Sequence, residues 1–135
     1  MASILRVNTL TDASSNNSTA MSVINQGVAK AWYNLNAGGA SLRDSFNIGS
    51  ITDQGTGLYD GNFTSAMNDG NYAAGGSCAT KGNNNSYAHS FSTGDQSSTY
   101  GVHTTAAIRT NSWAENISSL SDPDMVQVNV HGDLA

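Results

Sequence analysis

Beyond residue 28 apolar side chains recur at every second position. Ala29, Ala31, Tyr33 and Leu35 alternate with Lys30, Trp32 and Asn34, the spacing that puts one set on each face of a β-strand. After a turn at 36–40, Phe46 and Ile48 alternate around Asn47, and Gly49 marks a β-bulge ahead of Ile51. The cluster Asp53-Gln-Gly-Thr-Gly57 then reverses the chain, and Tyr59, Gly61 and Phe63 share a face, so this pair reads as a hairpin with a five-residue loop. Tyr72, Ala74, Gly76 and Cys78 predict a weak strand ending at the turn 81–85. Tyr87, His89 and Phe91 predict another before the turn 94–98. The clearest alternation runs through Tyr100, Val102, Thr104, Ala106 and Ile108, with Arg109 on the opposite face. A last strand carries Val126, Val128 and Val130 against Gln127, Asn129 and His131. Short strands at regular intervals with polar turns predict an antiparallel β-sandwich. No strand–helix–strand alternation appears, so the class is all-β.

Residues 1–28 follow another pattern. Ile4, Leu5, Val7 and Leu10 are apolar, 12–19 is polar and turn-forming, and Met21, Ile24, Val28 and Ala31 stand three, four and three apart. That is the a/d stripe of two helical heptads, with Ser18 or Thr19 available as a cap. Two heptads do not hold a helix alone, and Gly27 costs about 1 kcal/mol in a helix interior. A helix here needs partners, its own copies included; the alternative is an irregular extended arm.

Composition sharpens this picture. Ser, Thr, Asn and Gly fill 61 of the 135 positions, whereas Leu, Ile, Val and Phe fill 23, below the ~20% under which a chain struggles to bury enough apolar surface alone. Disorder would add high net charge and abundant Pro, but only 11% of residues are charged and there is one Pro. The expectation is turn-rich β-structure that shares its core with copies of itself. No apolar run approaches the ~18 residues of a membrane span, so no membrane insertion is expected. The opening MASILRVNTLTDAS lacks the basic and apolar regions of a secretory signal. Cys78 is the one cysteine, which excludes an intramolecular disulfide and a thiolate metal cluster. A net charge of −5 without a basic cluster argues against nucleic acid as a partner.

Five blocks carry a resemblance. They are Ile4-Leu-Arg-Val-Asn-Thr-Leu-Thr-Asp12, Ala29-Lys-Ala-Trp-Tyr-Asn-Leu-Asn36, Arg43-Asp-Ser-Phe-Asn-Ile-Gly-Ser-Ile-Thr-Asp-Gln-Gly-Thr-Gly57, Phe63 to Tyr72, and Val126-Gln-Val-Asn-Val-His-Gly132. In this order they are similar to the small tail-fibre proteins of bacteriophages, especially those infecting cyanobacteria and marine bacteria. Leu58-Tyr-Asp-Gly61 departs from that pattern, where the family more often has β-branched residues, and the match thins between Cys78 and Trp113. The resemblance implies a trimeric virion protein of the tail, with a β-rich distal part that meets the host surface. It divides the chain into an attachment and trimerisation segment, 1–28, and a β-sandwich fibre domain, 29–135. The attachment candidates are Ile4, Leu5, Val7, Leu10, Met21, Ile24 and Val28, which would join other tail or baseplate proteins. A head fibre or capsid decoration protein, and a stand-alone carbohydrate-binding module, are the alternatives.

Candidate chemistry is sparse. With 19 Ser, three His and nine Asp, trios of the serine-triad kind are inevitable and uninformative, and no Gly-x-Ser-x-Gly elbow occurs. Glycoside hydrolysis needs two flanking carboxyls; Asp122 and Asp124 bracket Pro123 in what reads as a polar turn, and Glu115 is the one glutamate. The expectation is a protein that is not an enzyme and carries no cofactor. His89, His103 and His131 lie on different predicted strands without the His-x-His repeat by which some fibre tips hold iron, so no metal is assigned. For contact with host-surface polysaccharide the candidates are Asn83, Asn84, Asn85, Tyr87, Asp95 and Gln96, whose loops combine amides with flanking Tyr. Trp113 is either a further platform or a core aromatic, and Tyr100 reads as core.

Overall fold

A computed structural model describes residues 6–15, 17–79, 89–93, 103–114 and 119–135. The chain begins with a small hairpin of β1 (Thr9–Thr11) and β2 (Ser18–Ala20), followed by the helix α1 (Met21–Gly27). Nine strands follow: β3 (Ala31–Asn36), β4 (Ser41–Phe46), β5 (Ile48–Gly55), β6 (Leu58–Phe63), β7 (Ala73–Ala79), β8 (His89–Thr93), β9 (Ala107–Ala114), β10 (Ser119–Leu120) and β11 (Met125–His131). Every pairing between strands is antiparallel. A four-stranded sheet has the order β4-β3-β11-β7. The five-stranded sheet is built around β9, with β8 along one side, β6 and then β10 along the other, and β5 outside β6.

The two sheets enclose one core. Ala31, Tyr33 and Leu35 of β3 and Val126, Val128 and Val130 of β11 turn inward from the first sheet, against Tyr59 of β6 and Ile108 of β9. The period-two alternation of both strands is therefore the inside–outside pattern. Burying each valine contributes about 1.5–3 kcal/mol. The shortage of Leu, Ile, Val and Phe is met within one chain by Tyr33, Tyr59, Tyr72, Met67 and alanines. The polar groups between the sheets pair with one another. Thr110 Oγ1 donates to the Tyr59 carbonyl (3.2 Å), so the Tyr33 hydroxyl donates to Thr110 across the sheets (3.1 Å). The Tyr59 hydroxyl donates to Asp122 Oδ1 (2.7 Å), which also accepts from the Gly57 amide at 2.5 Å. Burial raises the pKa of both Tyr33 and Tyr59 above the ordinary phenol value.

Four local expectations change. Helix α1 is shorter than the heptad spacing implied. Ala20 rather than Ser18 or Thr19 stands at its N-cap, with no side-chain cap bond; Val28 is extended and Ala31 belongs to β3. Gly27 and the pull of Ala31 into the buried sheet end it there. Phe46 and Ile48 do not share a face: Asn47 adopts φ 56° and passes the chain between sheets, leaving Phe46 51% exposed and Ile48 buried. Asn47 holds this crossing by accepting from Ser65 N at 2.7 Å and donating to the Lys30 and Ser65 carbonyls. The β5–β6 hairpin is tighter than a five-residue loop, because pairing continues to Gly55↔Leu58 after a register shift at 53–55. Gly55 and Gly57 supply the positive φ this needs, and the expected bulge at Gly49 is present between Ile48 and Ser50. The strand expected over 100–109 begins instead at Ala107 and runs to Ala114. Thr104 Oγ1 accepts from the amides of Ala106 (3.2 Å) and Ala107 (2.9 Å), and that side-chain capture turns the backbone where periodicity alone continues a strand. Tyr100 and Val102 lie outside the described residues.

Candidate functional site

The outer face of the four-stranded sheet carries two rows of side chains fixed by register. Trp32 on β3 stands opposite Phe46 on β4 and Asn129 on β11. Two residues along, Asn34 stands opposite Asp44 on β4 and Gln127 on β11, and Gln127 opposite Ser77 on β7. An aromatic row thus runs beside an amide row, within reach of each other across ~5 Å strand spacings. Between them lies a groove of about 440 Å³ lined by Trp32, Asn34, Ser77, Gln127 and Asn129 over the backbone of β3 and β11. Its volume is in the ~300–1,000 Å³ range of small-ligand sites. Trp32 remains 37% exposed. Asn129 Nδ2 lies 3.1 Å from His131 Nε2, and Ser77 Oγ donates to Gln127 Oε1 at 3.5 Å.

One atom in this groove has no protein partner. Asn34 Oδ1 is buried from solvent yet accepts no hydrogen bond from the described residues. An unmet buried acceptor costs about 1–3 kcal/mol, so a donor brought to Asn34 Oδ1 would recover that cost.

The residues singled out from sequence scatter. Asn83, Asn84, Asn85, Tyr87, Asp95 and Gln96 lie outside the described residues, as do Ile4 and Leu5. Trp113 lies within β9 rather than after it, half-buried on the outer face of the five-stranded sheet opposite Ser90 and Leu120. It is therefore on the other side of the molecule from Trp32. Val7, Leu10 and Val28 are exposed by 37%, 48% and 53%, and Met21 and Ile24 are half-buried on α1, which buries no residue fully. Trp32, Asn34, Gln127 and Asn129 were legible only as the outward phase of two strands. That a tryptophan occupied such a phase was the available signal; that the two strands are neighbours was not.

Other ionisable groups are engaged in structure. Asp60 forms a two-pronged ion pair with Arg109 (2.7 and 2.8 Å) and accepts from Gln54 at 2.8 Å. Asp122 anchors Tyr59 and Gly57 and so ties the β5–β6 hairpin to the turn before β11. His103 stacks on Tyr72 with ring centroids 4.7 Å apart; burial lowers its pKa, and burial raises that of the half-buried Cys78 thiol. No three His, Cys, Asp or Glu among the described residues gather as a metal would require. No helix among them is long and apolar enough to cross a membrane. In comparisons with known proteins, no family model, curated protein or solved structure matches the chain.

Proposed function

We propose that this chain is a non-catalytic virion protein of the tail-fibre kind, a homotrimer that meets the host-cell surface. The observation that carries the reading is the exposed aromatic-and-amide face of the four-stranded sheet, a surface suited to contact. The ordered resemblance of residues 4–12, 29–36, 43–57, 63–72 and 126–132 to small tail fibres supplies the virion context. Support for assembly comes from the N-terminal segment rather than from the core. Val7, Leu10, Val23 and Val28 leave large apolar areas in water, and covering them against copies or a tail protein is favourable at about 25 cal/mol per Å².

Light scattering of the full chain tests the reading. Three chains of 14.0 kDa give a mass near ~42 kDa, independent of concentration, and removing residues 1–28 leaves folded protein that no longer joins tail particles. A well-folded monomer that shows no binding to host cells overturns it. A monomer that does bind cells favours the stand-alone binding module.

A further inference from the structure

We propose that the groove on the outer face of the four-stranded sheet binds a neutral, hydroxyl-rich saccharide, with the Trp32 ring under a pyranose face and Asn34 Oδ1 accepting a hydroxyl hydrogen. The site deepens the reading of this face as the one that meets the host, and it names the ligand's chemistry.

Three features select that chemistry. The first is the unpartnered acceptor: Asn34 Oδ1 needs a donor, and an amide oxygen takes one from a hydroxyl without any change of charge. Gln127, whose Oε1 is already met by Ser77, has amide hydrogens to give to the same hydroxyl's oxygen. A sugar hydroxyl both donates and accepts, so it can bridge the two opposed amides. The second feature is the Trp32–Phe46 pair. It presents an aromatic surface two residues along the strand from Asn34, and the C–H face of a pyranose covers such a ring while its edge hydroxyls reach the amides. The third is charge. The side chains lining the groove are uncharged, and the charged residue in register with Asn34 is Asp44. Two cations on and beside the neighbouring strands are engaged elsewhere: Lys30 donates to the Asn25 carbonyl, and Arg43 donates to that of Asp124 at 3.3 Å. A carboxylated or sulfated glycan would find repulsion and no counter-charge, so the ligand is neutral.

The test is electrophoresis of the full chain through native gels containing dextran, mannan or galactan, with alginate as the acidic contrast. At least one neutral polymer is expected to retard the protein, and alginate none. Asn34→Ala and Trp32→Ala should weaken retention at least tenfold. Gly75→Phe provides a variant that blocks rather than deletes: a Cβ there meets nothing nearer than Asn129 Oδ1 at 3.5 Å, so the backbone accepts a side chain whose ring is meant to cover the groove, and circular dichroism checks that the variant is folded. Trp113→Phe, on the opposite sheet, should bind as the parent does and leaves Trp32 as the one tryptophan whose fluorescence reports occupancy. The proposal is overturned if no neutral polymer retards the chain, if alginate retards it equally, or if Asn34→Ala and Gly75→Phe are retained as strongly as the parent. Failure here leaves the fibre reading to be judged by solution mass and cell binding. A monomer that binds neutral glycan through Asn34 keeps the site and discards the fibre.

Discussion

Replacing Gly61 with alanine should destabilise the protein through one ring. Gly61 faces inward from β6, and a Cβ there would lie 2.9 Å from Tyr33 Cε1 and 3.4 Å from both Tyr33 Cδ1 and Ile108 Cγ2. Carbon atoms rest at about 3.5–4.0 Å, so the ring must retreat by roughly 0.6–1 Å. It has little room to do so. Tyr33 is 1% exposed, its hydroxyl is tied to Thr110, and its backbone is paired on both sides, to Ser45 and to Val128. Overpacking of this kind costs about 1–3 kcal/mol, partly offset by about 0.4–1 kcal/mol from the smaller backbone entropy of the unfolded alanine chain. The net loss is about 1–2 kcal/mol, which for a chain of this size lowers the melting midpoint by roughly 3–10 °C. Urea unfolding followed by circular dichroism measures it. Tyr33→Leu removes the offending ring atoms, so Gly61→Ala made in that background should cost at least about 1 kcal/mol less. An equal cost in both backgrounds, or a stabilised Gly61→Ala protein, would refute the assignment of Gly61 to the Tyr33 contact.

Three further outcomes follow from named groups. Thr110→Val strips the buried Tyr33 hydroxyl of its acceptor and should cost about 1–3 kcal/mol; adding Tyr33→Phe should recover part of that loss in urea midpoints, and a further drop would contradict the bond's importance. Burial raises Tyr33, Tyr59 and Tyr72, the last to about 12, from an ordinary value of 10.0. The native state then holds phenolic protons that the unfolded chain releases. Stability is therefore full below about pH 10 and falls as pH rises towards 12, read by melting across that range with phenolate absorbance in parallel; a flat profile would contradict the burial. His103 has the opposite sign: burial beside Tyr72 lowers its pKa from 6.5, so the unfolded chain takes up a proton first and stability is lost as pH falls through and below about 6.5. Imidazole titration by NMR should place His103 below the ordinary 6.5, and His103→Phe should remove part of the acid loss while keeping a ring on Tyr72.

How much of this was legible in the chain depends on the range of the interaction. Period-two patterning located β3 and β11 with the correct inward faces, because Ala31, Tyr33, Leu35 and the three valines have one way to leave water in a pleated strand. The β5–β6 hairpin and the bulge at Gly49 were readable for the same local reason, since glycine, Asp and Asn mark where the backbone must depart from the pleat. The apolar count did not reveal how far tyrosine, methionine and alanine fill the space between the two sheets, because it leaves those residue types out. Local patterning also misplaced β9, where the Thr104 hydroxyl takes two backbone amides and overrides alternation. The candidate site belongs wholly to tertiary structure. Trp32 and Asn34 are about ninety residues from Gln127 and Asn129, and only the pairing of β3 with β11 aligns their outward phases into one groove. The sequence by itself determined which residues face water on each strand, because that is a matter of local period and hydrophobicity. Which water-facing residues become neighbours was decided by sheet order, and periodicity carries no information about strand partners.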